Sequence, residues 1–210
     1  MIKMRKIDYV YAVLIVILSI VVFTVLGLYK KNISKTEQLI QMKDKAILTM
    51  ETTSDMNCSE YTKYDFIDSK IAVYIELLCE ELEVDDVLAF AILMKENPEF
   101  DINAINRNVN GTIDCGLFQL NDYYIWRDFE YRYWVDGVEL DPFNWKHNCY
   151  LAIHHIQYLQ KNLKVQDDVI MAYNCGINAV LNDNIPSSAK TYLANVKTNM
   201  KLLKNYKEKE

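Results

Sequence analysis

Val87-Leu88-Ala89-Phe90-Ala91-Ile92-Leu93-Met94-Lys95-Glu96-Asn97-Pro98 is the stretch on which the reading of this chain turns. Asp85 stands ahead of it as a good N-cap, so the spacing predicts a helix over Asp86–Glu96. The run from Val87 to Met94 is apolar nearly all round, which places this helix at the centre of a core rather than on a surface. Pro98 stops it, because the residue before a proline disfavours the α conformation. Glu96 therefore stands where a buried helix emerges. A carboxylic acid can donate a proton near neutral pH only if burial raises its pKa, and this is a setting that does so.

Outward from that helix the pattern stays largely helical. Asp65–Leu82 has apolar residues at Phe66, Ile67, Ile71, Tyr74, Ile75, Leu78 and Leu82. Helical spacing returns over Asn144–Leu163, Val165–Tyr173 and Pro186–Leu203. Between them Asn106-Arg107-Asn108-Val109-Asn110-Gly111 is rich in turn residues, and Asn-Gly favours a hairpin, so a small β-hairpin is expected there. Asp122–Leu140 is crowded with aromatics and is expected to be partly irregular. The domain is mainly α (α+β), with no internal repeat.

The amino-terminal part is different in kind. Tyr9–Leu28 is twenty residues without a charge, enough to span a bilayer core of about 30 Å. Lys3, Arg5 and Lys6 would also suit a signal peptide, but no Ala-x-Ala site follows, which favours a retained N-terminal transmembrane helix. Lys30, Lys31 and Lys35 follow the span, so positive charge does not decide its orientation. The expected division is 1–31 for the tail and anchor, 32–60 for a juxtamembrane helix and linker, and 61–210 for the folded domain. Residues 1–45 hold eight Lys/Arg against three Asp/Glu, and the remainder holds 15 against 26. So acidic a domain is a poor partner for nucleic acid, while the basic segment suits an anionic lipid surface.

Five cysteines (Cys58, Cys79, Cys115, Cys149, Cys175) contain no CxxC pair, which argues against a thiolate zinc site. One or two disulfides are open to them outside the cytoplasm, with at least one thiol left over. His147, His154 and His155 form no HExxH pattern, so neither a metal nor a cofactor is expected.

Two later motifs bear on Glu96: Gly116-Leu117-Phe118-Gln119-Leu120, and Ala172-Tyr173-Asn174-Cys175-Gly176. With Glu96 ahead of them, in that order and spacing, the stretch from about Ile71 to Val196 resembles the lysozyme-like superfamily, and within it the lytic transglycosylases. The resemblance implies a lysozyme-like fold acting on the glycan strands of peptidoglycan. Glu96 would be the catalytic acid, and Tyr173 would hold its carboxyl. Asn97 stands where the family usually has Ser, still polar and able to hydrogen-bond, and is placed with the substrate-binding residues. Gly116 and Gln119 match the Gly-Leu-Met-Gln motif, Gln119 offering its amide to the sugar. Phe118 replaces Met and keeps an apolar surface for a sugar ring. Asn174 is carried over with the site, although a turn-stabilising role suits it as well. Asp141-Pro142 and Asn148 resemble the family's segment before its long helix and read as scaffold.

Asn110-Gly111-Thr112-Ile113-Asp114-Cys115-Gly116 also resembles the hairpin of chicken-type lysozymes, where the Asp is a second carboxylate. Transglycosylases of type IV secretion systems carry this pattern too, which implies a secretion or conjugation apparatus as a partner. Asp114 is thus either a hairpin residue or a second catalytic group. The resemblance to transglycosylases implies that Glu96 first gives its proton and then activates the muramic acid 6-hydroxyl, leaving a 1,6-anhydro end. A muramidase using Glu96 and Asp114 is the alternative, as is an inactive wall-binding scaffold. Tyr123, Tyr124, Trp126, Tyr131, Tyr133 and Trp134 read either as core or as stacking surfaces for sugar faces. A wall substrate places the domain on the extracytoplasmic side of the cell membrane, with residues 9–28 as a single-pass anchor.

Overall fold

The computed structural model describes residues 62–126 and 140–207. The chain divides into two compact units, Met1–Thr49 and Met50–Glu210, and the described residues belong to the second. The expected anchor at residues 9–28 and the helix and linker at 32–60 lie outside the described residues. Among the described residues no helix is long and apolar enough to cross a membrane.

Helix α1, Ser69–Glu81, starts where Asp68 accepts a hydrogen bond from the Lys70 amide at 2.8 Å. It begins later than the apolar spacing suggests, because Phe66 and Ile67 lie ahead of the cap. Phe66 packs edge-on against Phe90, with ring centres 6.0 Å apart, and Ile67 is buried. One face of α1 (Ile71, Tyr74, Ile75, Leu78) turns inward. Its end is closed by hydrogen bonds from the Glu83 amide to the Glu80 carbonyl and from the Val84 amide to the Cys79 carbonyl, with Glu83 in the left-handed region at φ 55°.

Helix α2, Asp86–Glu96, has the expected bounds. Asp85 caps it by accepting from the Val87 amide at 3.0 Å, and every residue from Val87 to Leu93 is buried. An unbroken apolar run can be satisfied only by enclosure, and the other helices supply it. Burial of such side chains contributes roughly 1.5–3 kcal/mol each, so this helix organises the core.

After α2 comes a three-stranded antiparallel sheet of β1 (Ile105–Arg107), β2 (Ile113–Cys115) and β3 (Leu120–Asn121), in that order. The expected hairpin is β1–β2, with Asn106 opposite Asp114 and Gly111 at φ 86° in its loop. The third strand arises because the Gly116–Gln119 turn folds the chain back, so that Asn121 pairs with Asp114. A π-helical turn, Asp122–Trp126, follows directly.

Helix α3, Trp145–Asn162, is capped by Asn144, whose side chain accepts from the Lys146 and His147 amides. Helices α4 (Gln166–Cys175) and α5 (Ile177–Leu181) meet at Gly176, which has φ 82°. Helix α6, Ser187–Lys207, buries Ala189, Tyr192, Val196, Met200 and Leu203 and packs against α2 and α4. Asn199 on α6 donates to the Ala91 carbonyl of α2 at 3.1 Å. Cys79, Cys115, Cys149 and Cys175 are free thiols, so no disulfide joins the described cysteines.

Candidate active site

Because α2 is enclosed along its length, its last residue is delivered to the floor of a groove. Glu96 lies there, in a cleft of about 870 Å³ whose walls come from the sheet, the π-helical turn, α3, α4 and α6. Burial pushes the Glu96 carboxyl up to about 7, against the lowering effects of a Tyr192 hydrogen bond and the Lys95 charge, and Asp114 adds a smaller push upward. Near neutral pH such a group exchanges between its protonated and ionised forms. It can therefore act as acid and, once deprotonated, as base.

The group that holds this carboxyl is Tyr192. Its hydroxyl donates to Glu96 Oε1 at 2.6 Å from a ring that is 3% exposed. Sequence reasoning missed it, since Tyr192 falls on the buried stripe of α6 and reads as core. The available signal was its hydroxyl, which in a buried position needs a polar partner. Tyr192→Phe should keep the fold and lower activity by roughly 10- to 100-fold, because a hydrogen bond to an ionisable group contributes roughly 1.5–3 kcal/mol. It should also move the alkaline limb of the pH–rate profile upward, since the lost bond is one that lowers the Glu96 pKa. An unmoved limb would remove Tyr192 from this role.

Asp114 faces the same cleft from β2. Asn121 Nδ2 donates to its Oδ1 at 2.8 Å and Asn106 Nδ2 to its Oδ2 at 3.4 Å, so neighbouring strands grip both oxygens. The carboxylate is thus a sheet staple that also lends its charge to the groove.

The model of the transglycosylase SLT domain family matches residues 74–196, more than half of the chain. The chain belongs to the transglycosylase SLT domain family. The matched residues run from α1 into α6 and include the whole groove floor. The chain is also similar to a solved structure, the inactive Glu-to-Gln mutant of the lytic transglycosylase Slt from Pseudomonas aeruginosa, with a TM-score of 0.50 and 15% identity. The match covers 64% of this chain and 23% of that one, so the chain spans under a quarter of that enzyme's length. At this identity the likeness is one of fold. A comparison with curated proteins finds no match.

Within this SLT domain several residues expected at the substrate are engaged elsewhere. The Tyr173 hydroxyl donates to the Phe118 carbonyl at 3.2 Å and so ties α4 to the Gly116–Gln119 turn instead of holding the carboxyl. Its ring still lines the groove, 5.5 Å from that of His155, and burial and the Glu96 charge raise its pKa. Asn97 is buried, donating to the Asp101 carbonyl at 2.7 Å and accepting from the Asp101 amide at 3.1 Å. It closes the loop after α2 and presents nothing to a ligand. Phe118 is fully buried, so it is core and offers no face to a sugar.

Gly116 serves packing rather than substrate. A Cβ there would lie 2.6 Å from the Pro142 carbonyl oxygen and closer still to Asn148 Nδ2, and its φ is 71°. Gln119, held at φ 49°, does line the groove. Its Nε2 donates to the Gly116 and Ala104 carbonyls at 2.8 and 3.2 Å, leaving the amide oxygen as the atom for a ligand. Asn174 is exposed on the α4 wall. Tyr124 is 57% exposed and lines the groove beside Tyr123, with ring centres 5.1 Å apart. The side chains of Trp126, Tyr131, Tyr133 and Trp134 lie outside the described residues.

Proposed function

We propose that this protein is a peptidoglycan lytic transglycosylase that cleaves the MurNAc–GlcNAc β-1,4 bond and leaves a 1,6-anhydroMurNAc end. The observation that carries the reading is Glu96, poised near neutral pH and held by Tyr192 at the floor of an open groove. A glycosidic bond breaks through an oxocarbenium-like state, and its leaving oxygen must take up a proton. Glu96 supplies that proton. The resulting carboxylate then takes the proton of the muramic acid 6-hydroxyl, whose oxygen bonds to C1. No water is consumed, and the acid is regenerated. The solved structure similar in fold is a Glu-to-Gln mutant of a lytic transglycosylase described as inactive.

The alternative, a muramidase, would use Asp114 as its second carboxylate. Asp114 does face the groove, but both of its oxygens accept hydrogen bonds within the sheet. Products from purified wall are therefore expected to end in 1,6-anhydromuramic acid, and Asp114→Asn to keep at least a tenth of the activity. Mass spectrometry decides the first point, since a hydrolase leaves ends one water heavier. Products with ordinary reducing ends would refute the transglycosylase reading.

Anchoring through residues 9–28, with the domain outside the cytoplasmic membrane, belongs to the same proposal and is supported by the uncharged Tyr9–Leu28 span. A reporter active only in the cytoplasm, fused after Glu210, should stay dark. A bright fusion would put the domain out of reach of the wall. Service to a secretion or conjugation apparatus is supported by the Asn110–Gly116 pattern, which resembles that of transglycosylases in such systems.

A further inference from the structure

Lys95 adjoins the acid, yet proton transfer to a glycosidic oxygen does not ask for a cation there. It is half-buried in the groove wall. Its ammonium sits 5.4 Å from the centre of the Tyr192 ring, above the residue that holds Glu96. Ion pairs among the described residues join Lys63 to Glu76 and Asp86, and Lys197 to Asp167, and none involves Lys95. Its charge moreover lowers the proton affinity of Glu96, against the needs of an acid. A cation kept beside the acid at that disadvantage is suited to an anion that arrives with the substrate.

The remainder of the groove fits this. Asn106, Gln119, Asn121, Asn174 and Tyr124 line it with neutral groups, His155 lines it from α3, and Glu96 and Asp114 are its acidic members. Lys95 is then the ammonium that the described groove offers an anion. We propose that Lys95 is a specificity-determining residue that binds a carboxylate carried on the lactyl arm of the muramyl sugar. The inference rests on the peptidoglycan reading. The sugar whose C1 is attacked carries that arm at C3, so the anion hangs close to the reacting centre. On a stripped strand the anion is the lactyl carboxylate itself. On an intact strand the lactyl group is an amide, and the carboxylates of the attached peptide take its place. An anion docked on Lys95 also offsets the charge that acts on Glu96, so the matching strand helps the acid keep its proton until transfer.

Four substrates test this: intact wall and amidase-stripped glycan, each native and with its carboxyls converted to methylamides. For wild type, KM is expected to be roughly tenfold lower on at least one native form than on its amidated counterpart, as suits a charge-assisted hydrogen bond. A difference on stripped glycan identifies the lactyl carboxylate, and a difference confined to intact wall identifies the peptide. Lys95→Gln should bring the ratio close to one, and Lys95→Arg should retain most of it. A wild type indifferent to amidation would overturn the proposal, as would a Lys95→Gln variant that keeps the ratio. If Lys95 served only to pack on Tyr192, the Gln variant would lose melting temperature and rate on all four substrates alike with the ratio intact, which counts against it equally. Failure of wild type to release anhydro products from any of the four would instead refute the transglycosylase reading, and this inference with it.

Discussion

Glu96→Gln is expected to abolish glycan cleavage and, above neutral pH, to make the domain more stable. The amide is nearly isosteric with the carboxyl and still accepts the Tyr192 hydroxyl, but it can neither give nor recover the proton. General acid–base catalysis contributes roughly 10²–10⁴-fold, and here one group serves both halves of the reaction, so the loss should lie at or beyond the upper end. The stability effect follows from the raised pKa. Burial holds the folded-state value at about 7, against 4.5 for an ordinary Glu. Between those values the folded state binds more protons than the unfolded state, so stability falls as pH rises through this window. Gln carries no such cost. Allowing for the open groove, the gain at pH 8–9 should be about 1–2 kcal/mol, or roughly 2–8 °C in Tm. Near pH 4, where the acid is mostly protonated in both states, the variant and wild type should melt alike. Wild-type kcat/KM should decline above about pH 7 as the donor loses its proton. A variant that is inactive yet no more stable than wild type at pH 9 would mean that burial does not raise the Glu96 pKa.

How much of this could be read beforehand depends on whether the cause is local. Helix α2 was legible to the residue, because Asp85 and Pro98 act on their immediate neighbours and the apolar run between them admits no surface face. The emergence of Glu96 into a cleft followed from the same facts. Strand β3 was not legible, since two residues carry no periodicity and the strand exists only because the preceding turn brings Asn121 back to Asp114. The partner of Glu96 was hidden for a related reason. Tyr192 lies 96 residues away in sequence, on a helix face whose spacing predicts core, and Tyr173 carried the motif. Phe118 and Asn97 were misplaced because residue type says what a side chain could contact but not which way the backbone aims it. The Asn97 side chain turns back on its own loop, and Phe118 points into the protein.

Asn148 is where scaffold and site are coupled most tightly, and its loss should be the most damaging to the fold. It is fully buried near the start of α3. Its Oδ1 accepts from the Phe118 amide at 2.8 Å, and its Nδ2 donates to the Cys115 and Pro142 carbonyls at 2.9 and 3.1 Å. One side chain thus satisfies backbone groups just before and within the Gly116–Gln119 turn and pins the segment entering α3. Asn148→Ala would orphan these groups where water has little access, at about 1–3 kcal/mol for each buried one. A total of about 3–5 kcal/mol, or a Tm lower by roughly 6–20 °C, is expected. Asn148→Asp should fare no better, because it loses both donated bonds and adds a buried charge. Activity should fall with either variant even below its melting point, since the turn presents Gln119 to the groove and supplies the carbonyl that Tyr173 binds. Gly116→Ala tests the same joint from the other side. Its Cβ would collide with the Asn148 amide and the Pro142 carbonyl. In an Asn148→Ala background the first collision vanishes and the second remains. The two substitutions should therefore combine to less than their sum, with a coupling of about 1 kcal/mol or more. Strict additivity would mean that Gly116 and Asn148 do not meet, and the turn's tie to α3 would have to be sought elsewhere.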